Sequence, residues 1–394
     1  MSRFVKHVFY CTIESDLLIC CGIIEVLRAK SPNPINVLII PSHPRILNIY
    51  HRYESFFDHV YLIEQVSFNK HFLGNFKLLR GAKTILREIF DHPKIVFFSF
   101  DVYDLIDLYV YKEIKRRQKE ADVTLIILTA FEFKLLKKIK TYNLRKSFIF
   151  SLYSLILVKK LFFSIKLHGS GLGSINHINI DCDYQICFEN SIHRTMSDTT
   201  IKNVEYPVIN LIGHSILSDC QELNKDSVIL FIDSLVGCNS PFYWDTIRRV
   251  SGLILSSGQA LYIKDHPQSN FDVKTELEDY HVQYIDNKLI SELILLKNID
   301  KIDAIFGHGT TALITGSWLK IPAYELTDCF TFNKELQNIF KEFVGSLGNV
   351  KLLNNHEDIQ RVMTDLGKID DTANTQMVTP KSKIDSVLDD IIAV

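Results

Sequence analysis

The sequence predicts an α/β protein of two doubly wound domains facing a cleft. Three observations carry that expectation. Short apolar, β-branched runs recur along the chain, helical patterns fill the intervals, and the scheme plays twice with a polar stretch between the halves. Strands that read as continuous apolar runs with helices between them form a parallel sheet covered on both faces, with right-handed crossovers.

In the first half, strands are expected at His7 to Ile13, Ile35 to Pro41, His59 to Ile63, Lys94 to Phe100 and Val123 to Leu128. Helical patterns lie at Ser15 to Lys30, His43 to Phe56, Asn69 to Phe90 and Val102 to Glu120. His43-Pro44 opens its helix, because proline suits a first helical turn, whereas His92-Pro93 is a turn before a strand. In the second half, strands are expected at Ser227 to Ile232, Ala260 to Ile263, Val282 to Ile285, Ala304 to Phe306 and Ala323 to Leu326. Helices are expected at Pro241 to Ser256, Asp272 to Glu278, Leu289 to Asn298, Thr310 to Leu319 and Asn333 to Glu342. From Asn190 to Lys225, Ser, Asn, Asp and Thr become frequent and periodicity weakens, which places the domain boundary there. The expected division is 1–195, 196–375 and a closing amphipathic helix within 376–394. Tandem Rossmann-like domains present ligands beyond the carboxyl ends of their strands.

At 394 residues, 47% hydrophobic and 23% charged, the chain has the composition of a globular protein rather than a disordered one. A net charge of −2 argues against nucleic-acid binding by charge alone. The eight cysteines, at 11, 20, 21, 182, 187, 220, 238 and 329, form no C-x-x-C pair. That scatter fits reduced, buried thiols better than a disulfide frame or a zinc site. Met1 to Thr12 reads as a first strand rather than a secretion signal, since Lys6 and His7 break its apolar run. No apolar run approaches the roughly 18 residues a membrane-spanning helix needs, so a cytoplasmic location is expected. No G-x-G-x-x-G follows the first strand, which disfavours a nicotinamide enzyme.

Two segments carry the chemistry: Leu261-Tyr-Ile-Lys-Asp-His-Pro-Gln268 and Ile305-Phe-Gly-His-Gly-Thr-Thr-Ala-Leu-Ile-Thr-Gly316. Each is an apolar strand ending in a polar turn, and the second turn opens into a helix. Lys264, His266, Pro267, Gly307, His308, Gly309, Thr310 and Thr311 together offer an imidazole, an ammonium, two hydroxyls and free backbone N–H groups. A phosphate-bearing leaving group needs such a set, because a helix N-terminus carries unpaired donors and about half a positive charge. Thr310 and Thr311 equally suit plain helix capping. Thr12 in the opening segment, and Asp233 with Ser234 at the end of the strand 227–232, are further substrate-binding candidates.

Here the sequence resembles the bacterial sialyltransferases and polysialyltransferases and their relatives that use CMP-Kdo. Lys264-Asp-His-Pro267 matches their Lys/Arg-x-His-Pro motif, and Thr310-Thr311 their Ser/Thr-Ser/Thr motif. Phe9-Tyr-Cys-Thr12 also resembles their first strand and turn, with Ile13 where proline is usual. The resemblance implies the GT-B glycosyltransferase architecture, although periodicity alone allows other two-domain α/β folds. It implies an acceptor-binding first domain and a second domain that holds the phosphate and ribose of a CMP-sugar. His266 would then meet the departing phosphate, and the threonines would bind its oxygens.

The family's acidic pair before a glycine is absent. Gly171-Leu-Gly-Ser174 resembles the residues just after that pair in the family, with Gly169 and Ser170 in place of the acids. His168-Gly169 resembles instead the His-Gly motif of CDP-glycerol glycerophosphotransferases, in which histidine is the proposed base. An imidazole titrating near neutrality suits that task. His168 is therefore the first candidate base and Glu132 the second, against the alternatives of a solvated loop histidine and a surface glutamate. Asp181-Cys-Asp183 spells a D-x-D cation motif but lies beside a strand and reads as a turn. No metal and no cofactor are expected, the CMP-sugar being the donor substrate.

From Phe133 to Ile180 there is no acidic residue, while nine lysines and arginines occur, Lys137, Lys138, Lys159 and Lys160 among them. That stretch suits an anionic membrane surface or a polyanionic acceptor, or a buried helix between solvated turns. The reading is an inverting, metal-independent transferase of sialic acid or a related ulosonic acid to a surface glycan or glycolipid, as in capsule, lipooligosaccharide or O-antigen. Its alternatives are a CDP-glycerol or CDP-ribitol phosphotransferase and a non-catalytic cytidine-nucleotide or glycan-binding protein.

Overall fold

The structure, a computed structural model, describes residues 5–12, 14–30, 34–42, 44–64, 72–100, 105–129, 164–165, 175–176, 182–188, 200–204, 217, 220–237, 240–266, 269, 271–332, 334, 337–338, 341 and 349–366. The chain divides into two compact units, the second beginning at Leu217.

The first unit runs β1 (Lys6–Tyr10), α1 (Glu14–Lys30), β2 (Ile35–Pro41), α2 (Pro44–Tyr53), β3 (His59–Ile63), α3 (Phe72–Ile89), β4 (Lys94–Ser99), α4 (Leu105–Arg117) and β5 (Asp122–Thr129). It continues with a two-residue pair, β6 (Ser164–Ile165) and β7 (Ile175–Asn176), then β8 (Tyr184–Phe188) and β9 (Thr200–Val204). Its seven-stranded sheet has the order β3-β2-β1-β4-β5-β8-β9, parallel throughout. Alternate strand residues serve alternate faces. Val8, Val37, Ile95, Phe97 and Leu125 pack with Leu86 and Ile89 of α3 and Val110 and Ile114 of α4. On the strands' other residues, Phe9 and Phe98 stack at 4.8 Å, also fully buried.

Two expectations are corrected here. β1 stops at Tyr10 rather than running to Ile13, because Thr12 turns the chain into α1. Its N–H and its hydroxyl both donate to the Asp16 carboxylate, at 2.9 and 3.0 Å. The second unit begins at Leu217, inside the expected boundary stretch Asn190 to Lys225 but later than the expected cut after 195, because Thr200–Val204 pairs with β8 and completes the first sheet. An edge strand needs little apolar content, so its Thr-Ile-Lys-Asn-Val composition reads as linker.

Asp183, the described half of the D-x-D spelling, holds the sheet together. Its Oδ2 accepts the Leu125 N–H at 2.7 Å and the Gln118 side-chain amide at 2.6 Å, and its own N–H donates to Leu125 O. These bonds join the entry of β8 to β5, and Gln118 reaches Val123 O from the end of α4.

The second unit runs β10 (Ser227–Phe231), α5 (Ser234–Gly237), α6 (Tyr243–Leu255), β11 (Ala260–Lys264), α7 (Val273–Glu276), β12 (Gln283–Tyr284), α8 (Ser291–Lys297), β13 (Ile302–Gly307), α9 (Thr311–Trp318), β14 (Ala323–Glu325), β15 (Lys351–Leu352) and α10 (His356–Leu366). Its parallel sheet has the order β12-β11-β10-β13-β14-β15. α6 and α10 cover one face, where Ile247, Val250, Ile254, Ile359 and Met363 meet Val228, Leu230, Leu261, Ile263 and Phe306. On the other face Gly316 of α9 lies so close to Ile305 that an added Cβ would meet its Cδ1 at 2.1 Å.

β15 and α10 were not anticipated. β15 is two exposed residues, and α10 buries only Ile359 and Met363, so neither shows a strong apolar run. The closing helix expected within 376–394, and most of the acid-free stretch from 133 to 180, lie outside the described residues. No helix among the described residues is long and apolar enough to cross a membrane.

Asp183→Ala removes an acceptor from the donors that meet at the β5–β8 junction. The expected result is a loss of about 1–2 kcal/mol in urea unfolding of the first unit, with the unfolding of the second unit unchanged.

Candidate active site

The second sheet reverses its winding at β10, which lies between its successor β11 and the later strand β13. In the ladder, Phe231 stands opposite Lys264 on one side and Gly307 on the other, so all three strands end level. The turns beyond them therefore emerge side by side, with β11 and β13 two strand spacings, about 9–10 Å, apart. A doubly wound sheet opens its binding crevice at this reversal. The first sheet reverses likewise at β1, between β2 and β4, and Thr12 emerges there.

Asp265 organises the β11 side. It is 4% exposed, and its Oδ1 accepts the N–H groups of Ser234 and His266 at 3.1 and 2.7 Å, while Oδ2 accepts the Ser234 hydroxyl at 2.7 Å. Ser234 also bonds the Ser269 hydroxyl. One carboxylate thus ties the end of β10 to the turn carrying His266. The Lys264 ammonium is buried as well, donating to Asp265 O at 3.0 Å and Asn287 O at 3.2 Å. The cation assigned to a phosphate is engaged by two main-chain carbonyls, and braces the turns after β11 and β12.

On the β13 side, Gly307 is required by space: a Cβ there would meet Phe231 O and the Thr310 methyl at 3.0 Å. Gly309 adopts the left-handed conformation, φ +57°, that glycine takes without strain. Its N–H, expected to face a ligand, donates instead to Glu325 Oε2 at 2.9 Å. Thr310 is the N-cap of α9, its hydroxyl oxygen accepting the Ala312 N–H at 3.3 Å. Thr311 and His266 are half-buried, as is Asp233.

His308 points the other way. It is 2% exposed, bonds the Tyr243 hydroxyl through Nε2 at 3.0 Å, and packs against the rings of Phe330 and Phe332. Burial pushes its pKa down to about 3, so the ring is neutral. Its place is a core position beneath the turn, which corrects its assignment to substrate contact. Pro267, His168 and Glu132 lie outside the described residues.

Sequence reasoning passed over Asp265 and Glu325. Asp265 sat inside the quoted segment Lys264-Asp-His-Pro267 and Glu325 inside the expected strand Ala323 to Leu326, and the available signal was an acidic residue ending an apolar strand. Glu325 is 1% exposed and accepts the Thr327 N–H at 3.0 Å and the Thr327 hydroxyl besides Gly309. Burial lifts its pKa to about 7, against the opposing pull of those hydrogen bonds.

Solved structures share this two-sheet arrangement. The chain is similar to UDP-GlcNAc 2-epimerase from Methanocaldococcus jannaschii, at 11% identity and TM-score 0.55 over 93% of each chain. It is similar to CalG4, the calicheamicin glycosyltransferase, at 11% identity and TM-score 0.51 over 94% of this chain and 91% of that one. The fold is GT-B. An alpha/beta-galactoside alpha-2,3-sialyltransferase from Photobacterium phosphoreum also matches, at 12% identity and TM-score 0.50 over 89% and 99% of the two chains. Identities this low speak to the GT-B fold alone, whose members here include transferases and epimerases. No family model matches the chain, and no curated protein sequence matches it.

Asp265→Ala would leave three donors at the β10–β11 edge without their acceptor. The expected cost is about 3 kcal/mol in chemical unfolding, with Asp265→Asn intermediate because it keeps one acceptor oxygen.

Proposed function

We propose that this GT-B chain is an inverting, metal-independent glycosyltransferase that moves sialic acid or a related ulosonic acid from a CMP-sugar to a surface glycan. The observation that carries this reading is the level ending of β10, β11 and β13. It brings the His266 turn and the Thr310-Thr311 helix start to one edge of one sheet, in the two segments that match the motifs of CMP-sugar enzymes.

In this reading the acceptor hydroxyl attacks the anomeric carbon as the bond to the CMP phosphate oxygen breaks. Charge growing on that phosphate is met by the His266 imidazole, the two threonine hydroxyls and the N-terminal end of α9. Donors already aimed at developing charge are an effective form of transition-state stabilisation. Lys264 and Asp265 act behind them, fixing the His266 turn. His168 or Glu132 takes the proton from the acceptor. The His168-Gly169 pair favours a second reading, a phosphotransferase using CDP-glycerol or CDP-ribitol.

Thermal melting with CMP, CDP, UDP and GDP tests the donor class. Stabilisation by CMP is expected, and a response to UDP alone would overturn the cytidine reading. With labelled CMP-sialic acid and CDP-glycerol, turnover of the first, undiminished by EDTA, is expected; turnover of only the second selects the phosphotransferase. His266→Ala and the double change Thr310→Ala with Thr311→Ala should each lower kcat/KM by roughly 100-fold or more.

The acid-free stretch from 133 to 180 suits contact with an anionic membrane face, where lipid-linked acceptors are presented. Changing Lys137, Lys138, Lys159 and Lys160 to Glu should abolish cosedimentation with phosphatidylserine liposomes. Undiminished cosedimentation would remove this part of the proposal.

A further inference from the structure

Glu325 ends β14 directly opposite Gly307 on β13. Its buried carboxylate holds the Gly309 N–H, one residue before the Thr310 cap of α9, and so grips the turn where the proposed donor phosphate sits. We infer that Glu325 couples binding of a phosphate ester at this turn to uptake of one proton by its own carboxyl group. The inference rests on the CMP-sugar reading above.

Charge sets the sign of this coupling. A phosphate at the start of α9 places an anion beside a carboxylate that water does not screen, and joint ionisation there is disfavoured. Protonating Glu325 removes that repulsion. It also loosens the hold on the Gly309 N–H, which becomes available to the phosphate. Against this, the ionised carboxylate orders the turn more firmly. That effect is a change in one hydrogen bond, smaller than repulsion between two poorly screened charges at short range. Binding therefore favours the protonated form.

The surroundings suit such a role. The carboxyl group already titrates near pH 7, so a bound anion shifts it across neutrality. His308, next to Gly307 on β13, is neutral, and burial lifts the Cys329 thiol of the following 3₁₀ turn to about 12, leaving it neutral also. On β15, Lys351 sits over the Tyr324 ring, and on α10 Asp358 faces Cys329. Among the described residues no cation pairs with Glu325.

The linkage to folding has a definite sign. The pKa of Glu325 is raised in the folded protein, so its contribution to stability is full below about 4.5 and is lost as pH rises through about 7.

The test uses cytidine 5′-(methyl phosphate), a diester that carries one charge at every pH used. Its affinity for wild type and for Glu325→Gln, a neutral mimic of the protonated form, is measured calorimetrically at pH 6 and 8 in buffers of different ionisation heat. Wild type should lose roughly tenfold more affinity than the variant over this range, and should take up a proton at pH 8 that the variant does not. Every other group is the same in both proteins, so the difference isolates Glu325. Equal pH dependence in the two proteins, with the ester bound, overturns the inference and leaves the functional reading standing. No binding to wild type at either pH sinks the reading and the inference with it. Should Glu325→Gln fail to fold, Thr327→Val supplies the second measurement. It removes a hydroxyl that donates to the Glu325 carboxylate, so the carboxyl group holds its proton to higher pH and proton uptake at pH 8 should fall; unchanged uptake overturns the inference.

Discussion

A carboxylate taken out of water must be surrounded by donors, and the turns at the carboxyl edges of both sheets are built on that requirement. Backbone N–H groups just beyond a parallel strand have no ladder partner, so a buried acid and such a turn satisfy each other. Asp16 takes the Thr12 N–H in the first unit. In the second, Asp265 takes those of Ser234 and His266, and Glu325 those of Gly309 and Thr327. Each acid fixes its turn before any ligand arrives. That is the preorganisation on which electrostatic stabilisation of a leaving group relies.

Beneath the β13 turn the support is apolar. Tyr243, at the start of α6, stacks on Phe330 and bonds the His308 imidazole, which in turn packs on Phe330 and Phe332. This cluster anchors α6 and the segment after β14 to the strand that delivers Thr310. His308 and Glu325 oppose each other in their response to pH. Burial holds His308 in its neutral form, a contribution complete above about 6.5 and lost as pH falls toward 3. Burial of Glu325 acts from the alkaline side. The edge is thus least strained by charge in the interval where the imidazole is neutral and the carboxyl group still holds its proton.

Much of the fold was legible in the chain. Ile35–Pro41 and His59–Ile63 fall at their expected limits, and most other strands and helices within a few residues of theirs, because β-branched runs and helical spacing are local properties. The two polar turns were legible for the same reason: each comes after an uninterrupted apolar strand. β9 and β15 were not, since β9 has three polar residues in five and β15 is two exposed residues, so each takes its identity from the strand beside it.

The sequence alone determined the alternation of strand and helix, the doubling of that scheme, and the residues set at the two turns. Tertiary structure decided what those residues do. The Lys264 ammonium and the Gly309 N–H read as ligand donors, yet one meets the main chain 23 positions away and the other a carboxylate 16 positions away. His308, adjacent to the same turn, faces the core. Such pairings arise from sheet order and strand register, which bring together residues remote in the chain, and no local pattern records them.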